Sequence, residues 1–242
     1  LSNHYLLTAA RSYTEAGGVL ALEPGAERVL NPLPVFHINC GINTFGAMIL
    51  SRNCLIVPDR FHATTWWQDI AGSRATGMHY LGVMPPALIK QPPSPLERAH
   101  RVRFGLGAGC DPTLHAAFEA RFGIPLIEVW GMTETGRFLV NHQEPRLVDT
   151  RAFGRERPPL RARVADEAGN PLPAGQPGEL LVRCDGPDPR AGFFSGYLDD
   201  EAATERAWRG DWFHTGDIVR ADETGMLFFI DRRKDMIRRS GE

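Results

Sequence analysis

The sequence predicts an α/β fold, in which a mainly parallel, doubly wound sheet with helices is followed by a smaller β-rich subdomain. Two observations predict it. From residue 1 to about 145, short apolar runs alternate with longer amphipathic stretches, as strands joined through crossover helices do. After Arg146 the texture changes to short alternating runs separated by Gly, Pro and Asp, which is the pattern of hairpins.

The elements follow in order. A helix is expected over His4 to Ala16, a strand at Leu33 to His37, a helix at Ile42 to Ser51 and a strand at Cys54 to Val57. A helix at Thr64 to Arg74 leads to a strand at Met78 to Gly82 and a short helix at Pro86 to Lys90. Val102 to Leu106 reads as a strand, Pro112 to Phe122 as a helix capped by Asp111, and Leu126 to Trp130 as a strand. In the second part, strands are expected at Leu160 to Val164, Gly178 to Arg183 and Met226 to Ile230. Gly169-Asn170 and Asp222 to Gly225 are candidate hairpin tips, and Asp199 to Trp208 reads as one inserted helix. The organisation expected is an α/β part over 1–145, a β-rich part over 146–231 and a hinge over 232–242.

Composition narrows the class. The chain has 242 residues, 43% hydrophobic and 23% charged, which suits a globular protein. A net charge of -2 gives no basic field to draw it onto nucleic acid or an anionic membrane, so a small-molecule partner fits better. Cys40, Cys54, Cys110 and Cys184 contain no CxxC pair and suggest reduced thiols rather than a disulfide framework or a zinc site. No apolar run approaches the roughly 20 residues of a membrane span, so the expected location is cytoplasmic. Lysine occurs only at Lys90 and Lys234.

Three stretches carry chemistry. In Val129-Trp130-Gly131-Met132-Thr133-Glu134-Thr135 an apolar strand runs into a turn with hydroxyls on both sides of a carboxylate. A threonine hydroxyl can donate to phosphate, a carboxylate can hold magnesium, and an aromatic face can stack on a purine. Asp211 to Asp217 (DWFHTGD) and Ile230 to Ile237 (IDRRKDMI) are the others.

Together with GELLVR between the first two, these stretches resemble, in order and spacing, the signature motifs of the adenylate-forming superfamily of acyl-CoA synthetases, luciferases and peptide-synthetase adenylation domains. Leu1-Ser2-Asn3-His4 resembles the LSHxN segment that follows the family's phosphate loop. The resemblance therefore covers nearly the whole chain, with the phosphate loop and the C-terminal domain expected to lie outside it. It implies an acyl-CoA ligase that uses ATP, magnesium and coenzyme A to activate a small carboxylic acid. FHIN followed by Cys-Gly, MPPALI and DRRKDMIRRSGE most resemble ligases for carnitine or crotonobetaine and their fatty-acyl relatives. A peptide-synthetase adenylation domain, a luciferase-like oxygenase and a non-catalytic nucleotide-binding module stand as alternatives.

Carried over by residue, the resemblance implies that Trp130 stacks on adenine and that Gly107-Ala108-Gly109, with Gly131 and Met132, lines the nucleotide. Thr133 touches the α-phosphate, Glu134 ligates magnesium, Asp217 accepts from the ribose hydroxyls, Arg232 assists there, and Lys234 is the hinge. Phe36 and His37 line the acyl channel. The resemblance also admits a homodimer. Neither lysine matches the family's adenylation lysine, so the chain alone is expected to adenylate poorly. Trp66-Trp67 reads as packing; Arg151, Arg155, Arg157, Arg161 and Arg163 could grip a phosphate of coenzyme A, but read rather as solvated, with one or two paired to acids.

Overall fold

A computed structural model of the chain describes residues 1–232. Its first half runs α1 (Asn3–Thr14), β1 (Arg28–Leu30), α2 (Phe45–Ser51), β2 (Cys54–Ile56), α3 (Trp66–Ser73), β3 (Gly77–Leu81), α4 (Met84–Ile89), β4 (Phe104–Ala108), α5 (Pro112–Phe122), β5 (Leu126–Gly131) and β6 (Phe138–Val140). Local chemistry sets the helix ends. The Ser2 hydroxyl accepts from the Tyr5 amide to start α1, and Asp111 accepts from the Thr113 amide to start α5, with Pro112 in the first turn.

The strands form a sheet in the order β2-β1-β3-β4-β5-β6, parallel from β2 to β5, with β6 antiparallel to β5. Neighbouring residues of a strand point to opposite faces. Leu30, Met78, Tyr80 and Leu126 enter the core under α3, α4 and α5, while Val29, Phe104, Leu106 and Ile127 enter the core under α1 and α2. Both faces are covered, which is the doubly wound arrangement. Trp66 and Trp67 are buried in the first of these cores, and Trp67 packs 4.6 Å from Phe122, ring centre to ring centre.

One element differs from expectation. Leu33 to His37 is a loop, and the strand in that part of the sheet is β1, paired with both β2 and β3. Pro32 and Pro34 cannot donate to a ladder, so the chain leaves the sheet after Leu30. Asn31 fixes the exit. Its amide bonds the Ile56 carbonyl at 2.9 Å, its side-chain nitrogen donates to Asn39 at 2.8 Å and Thr44 at 3.0 Å, and its side-chain oxygen accepts from the Leu33 amide.

The second half is an antiparallel sheet in the order β7-β12-β11-β9-β8, made of β7 (Ala152–Gly154), β8 (Leu160–Ala165), β9 (Gly178–Cys184), β11 (Trp212–Ala221) and β12 (Leu227–Arg232). The short β10 (Trp208–Arg209) pairs with β11, and α6 (Glu201–Ala207) precedes it. Trp208 thus belongs to a strand rather than to the helix expected to include it. Asp222 to Gly225 forms the tip between β11 and β12, with the Gly225 amide donating to the Asp222 carbonyl. Trp130 and Leu139 from the first sheet pack into the core of the second, which joins the two halves.

A cluster around Glu119 ties α5 to the segment that follows β6. Arg146 donates to both Glu119 oxygens at 2.7 and 2.9 Å, and His115 and the Leu126 amide also reach this carboxylate. Burial raises the Glu119 carboxyl, but these bonds outweigh it and hold it down to about 2. A depressed carboxylate stabilises the fold above its unfolded value, and that stability is lost as pH falls through the folded value. The chain is expected to lose stability from about pH 4.5 down to about pH 2. Urea unfolding across this range should show a shallower loss for Glu119→Gln than for the parent.

Candidate functional site

The carboxyl ends of parallel strands are where open α/β sheets bind ligands. At the ends of β4 and β5 a cavity of about 360 Å³ lies against the second sheet, walled by Ala108, Gly109, Trp130, Gly131, Phe153 and Asp217. Arg151, Arg232 and Cys110 also line it. Burial, with Glu128 nearby, pushes the Cys110 thiol up to about 12, so it is a neutral wall rather than a nucleophile.

A second cavity of about 140 Å³ opens at the ends of β1 and β3, where the strand order reverses. His37, Asn39, Asn43, His79 and Arg137 give it polar walls, and Leu106, Met132 and Phe138 apolar ones. Burial pushes the His79 imidazole down to about 3, so it is neutral, and its Nε2 lies 3.0 Å from the Tyr13 hydroxyl. Ala108, Val129 and Gly131 line both cavities.

Asp217, on β11, sits on the wall of the larger cavity and is 7% exposed. Its Oδ2 accepts from the Trp130 indole nitrogen at 2.7 Å, and its Oδ1 lies 3.4 Å from Arg232 Nε. Burial raises the carboxyl above its ordinary value, against the lowering effects of Trp130 and Arg232. The strand order delivers this contact across a sequence separation of 87 residues.

The turn after β5 is anchored from three sides. The Tyr5 hydroxyl on α1 donates to the Thr133 carbonyl at 2.5 Å, and the buried Thr135 hydroxyl lies 3.0 Å from the Met132 carbonyl. The Phe194 amide donates to the Glu134 carbonyl at 2.8 Å, and the Tyr197 hydroxyl donates to Glu134 Oε1 at 2.9 Å. Thr133 itself is exposed.

The AMP-binding enzyme family model matches residues 1–198 of the chain. The chain belongs to this family. It is 32% identical to the crotonobetaine/carnitine–CoA ligase of Shigella sonnei over 88% of its own length and 41% of the relative's. To the sulfoacetate–CoA ligase of Cupriavidus necator it is 33% identical over 90% and 42%. The ATP-bound MatB structure from Rhodopseudomonas palustris superposes with a TM-score of 0.82 at 24% identity, covering 98% of this chain and 45% of that one. The O-succinylbenzoate coenzyme A synthetase of Bacillus subtilis, in complex with ATP and magnesium ion, gives 0.81 at 21% identity over 100% and 48%. The chain thus spans about two-fifths of the length of the curated relatives it matches.

Of the residues singled out in the sequence, Ala108, Gly109, Trp130, Gly131, Asp217 and Arg232 meet at the larger cavity, while His37 and Met132 line the smaller. Phe36 stands outside both, 91% exposed on the loop after β1. Thr133 and Glu134 occupy the turn beyond the shared wall and line neither cavity. Gly107 lies deeper in β4, where a Cβ would fall 2.2 Å from the Tyr80 carbonyl oxygen, so only glycine fits. Lys234 lies outside the described residues.

Sequence reasoning missed Glu128. This buried carboxylate accepts from the Tyr80 hydroxyl and from the amides of Gly109 and Cys110 at 2.9 and 3.0 Å. It thereby fixes the loop that forms the cavity wall, in which Gly109 takes φ +82°. An acid within the otherwise apolar strand LIEVWG was the available signal.

Burial raises the Glu128 carboxyl above 4.5 despite its three donors. A raised carboxyl favours the fold most below its unfolded value and loses that contribution as pH rises. Glu128→Gln keeps one acceptor oxygen and sets an amide NH2 against a backbone N–H, a cost of about 1–3 kcal/mol. In urea titrations the stability gap between parent and variant should narrow as pH rises above 4.5. A widening gap would contradict the assignment.

Proposed function

We propose that this chain is the nucleotide- and acid-binding part of an AMP-forming acid–CoA ligase. The observation that carries the reading is the pair of cavities sharing Ala108, Val129 and Gly131 as a common wall. Two substrates seated on either side of so thin a partition can bring their reacting atoms together at its edge. Holding reactants in this way can supply about 7–11 kcal/mol of the barrier. Relatives that are CoA ligases by name support the chemistry.

In this reading the larger cavity takes the adenosine of ATP, with Trp130 against the base and the free lone pairs of Asp217 accepting from the ribose hydroxyls. Arg232, beside Asp217, assists there. The smaller cavity takes the acid side chain. The acid's carboxylate attacks the α-phosphorus, the bond to the leaving pyrophosphate breaks, and an acyl-adenylate forms. The thiol of coenzyme A then attacks the acyl carbon and AMP leaves. Thr133 donates its hydroxyl to phosphate. No side-chain nucleophile is needed, in keeping with the neutral thiol of Cys110.

Among the described residues no three His, Cys, Asp or Glu gather into a metal site. A lone carboxylate still suits magnesium, which keeps waters and binds through one or two carboxylates plus substrate phosphates. Glu134, half-buried with one oxygen accepting from Tyr197, fits that part and would hold the ion. When bound, magnesium neutralises charge on the phosphates.

The reading keeps residues 1–145 and 146–231 as the two parts of the binding unit, Lys234 in a hinge over 232–242, and a cytoplasmic location. Lys90 follows α4 and lines neither cavity, so adenylation by the 242 residues alone is expected to be weak.

The reading is tested by ATP–pyrophosphate exchange in the protein that carries this chain, across short acids, betaines and fatty acids. One acid class should stimulate exchange, and coenzyme A should then yield its thioester. Glu134→Ala should abolish both. If no acid stimulates exchange while ATP still binds, the chain serves as a binding module. A second expectation concerns AMP. Asp217→Asn should weaken AMP binding by about 10-fold or more, the worth of one charge-assisted hydrogen bond. Parent affinity should fall with acid at a pH above the ordinary 3.8, because protonation costs Asp217 its acceptor strength.

A further inference from the structure

A third cleft, of about 420 Å³, lies between α1 and the segments after β5 and β7. From α1 it receives His4, Thr8, Arg11 and Ser12, and Glu15 from the cap of the helix, residues three or four apart along one stripe. Arg137, Phe138 and Arg157 face them. Three guanidinium groups thus share the cleft with the single carboxylate of Glu15.

The way these arginines are held is informative. Arg137 donates to the Ala191 carbonyl at 2.8 Å, and Arg157 to the carbonyls of Ser12 at 2.9 Å and Glu15 at 3.3 Å. The Arg157 guanidinium carbon lies 5.9 Å from the centre of the Phe138 ring. Backbone carbonyls orient a guanidinium without cancelling its charge. Among the described residues, none of Arg11, Arg137 and Arg157 forms an ion pair within 4 Å, whereas Arg146 and Arg161 do. Arg137 and Arg157 are half-buried, and burial pushes both below the ordinary arginine value. Arg157 therefore departs from the solvated role expected of it.

Thr8 neighbours Arg137, since both lie within 2.8 Å of the Cβ position of Gly192. Ser12, one turn further along α1, neighbours Arg157. The two guanidinium groups are thus set about one helical turn, roughly 5–6 Å, apart along α1. A tetrahedral oxyanion between two such forks can accept from both.

We propose that this cleft is an oxyanion site that takes a phosphoryl group, either as inorganic phosphate or on a phosphate monoester. It shares no lining residue with the nucleotide cavity, but it borders the smaller cavity, with which it shares Arg137 and Phe138. Its two walls are also the anchors of the Thr133–Glu134 turn: α1 holds Thr133 through Tyr5, and Arg137 lies three residues beyond Glu134. An occupant would brace the turn from behind.

Calorimetric titration of the protein with inorganic phosphate, and separately with glycerol 3-phosphate, tests this at matched ionic strength and with saturating ATP present. One site is expected, and Arg137→Gln and Arg157→Gln should each weaken it about tenfold or more. Arg157→Lys should recover part of the affinity by restoring charge without the fork. Arg161→Gln, on a surface ion pair with Glu156, should leave binding unchanged. If the half-buried arginines prove necessary for folding, exposed Arg11→Gln supplies the measurement and should weaken binding severalfold. Undiminished binding in the arginine variants, displacement by ATP, or failure of both anions to bind overturns the proposal.

Discussion

The site depends on one buried carboxylate. Glu128 accepts from the Tyr80 hydroxyl on β3 and from the amides of Gly109 and Cys110 after β4, while standing on β5 itself. Three adjacent strands are thereby locked together just below the ligand cavities. Inside a protein such a group is costly unless its acceptors are filled, and here the donors come from two separate places in the chain, Tyr80 and the adjacent amides of Gly109 and Cys110. The sharp path of the glycine-rich loop follows from this anchor.

A second dependence is the meeting of the two sheets. Trp130 leaves the first sheet to pack in the core of the second, where its ring lies 6.2 Å from Phe153, and its indole nitrogen bonds Asp217. One side chain therefore joins the cores, forms a cavity wall and orients the carboxylate opposite. The antiparallel sheet is thus part of the larger cavity, since Phe153, Asp217, Phe229 and Arg232 all come from it.

Much of this was legible in the sequence. Helix α5 could be read to its ends because Asp111 and Pro112 state the start in local terms. The parallel sheet followed from alternating texture, and the place of the larger cavity from a strand that runs into a glycine turn. What could not be read were properties made by distant partners. The strand at Arg28–Leu30 is only three residues long and owes its existence to pairing on both sides, whereas the more apolar Leu33 to His37 is excluded by two prolines. Phe36 projects from that loop for the same reason, and Glu128 has no meaning until Tyr80 and Gly109 are brought beside it. The arginines of the third cleft were equally opaque, because their sequence neighbours say nothing of the helix that faces them.

The partition formed by Ala108, Val129 and Gly131 has a consequence for ligand design. Because the wall is built largely of small residues, the two cavities lie close enough for a short tether to join their occupants. A molecule carrying a nucleoside at one end and a small acid side chain at the other would meet the second cavity at an effective concentration set by its linker, on the order of millimolar or higher. Such a bivalent compound would draw its selectivity among related enzymes from the smaller chamber, where His37, Asn43 and His79 differ in kind from the walls of the larger one.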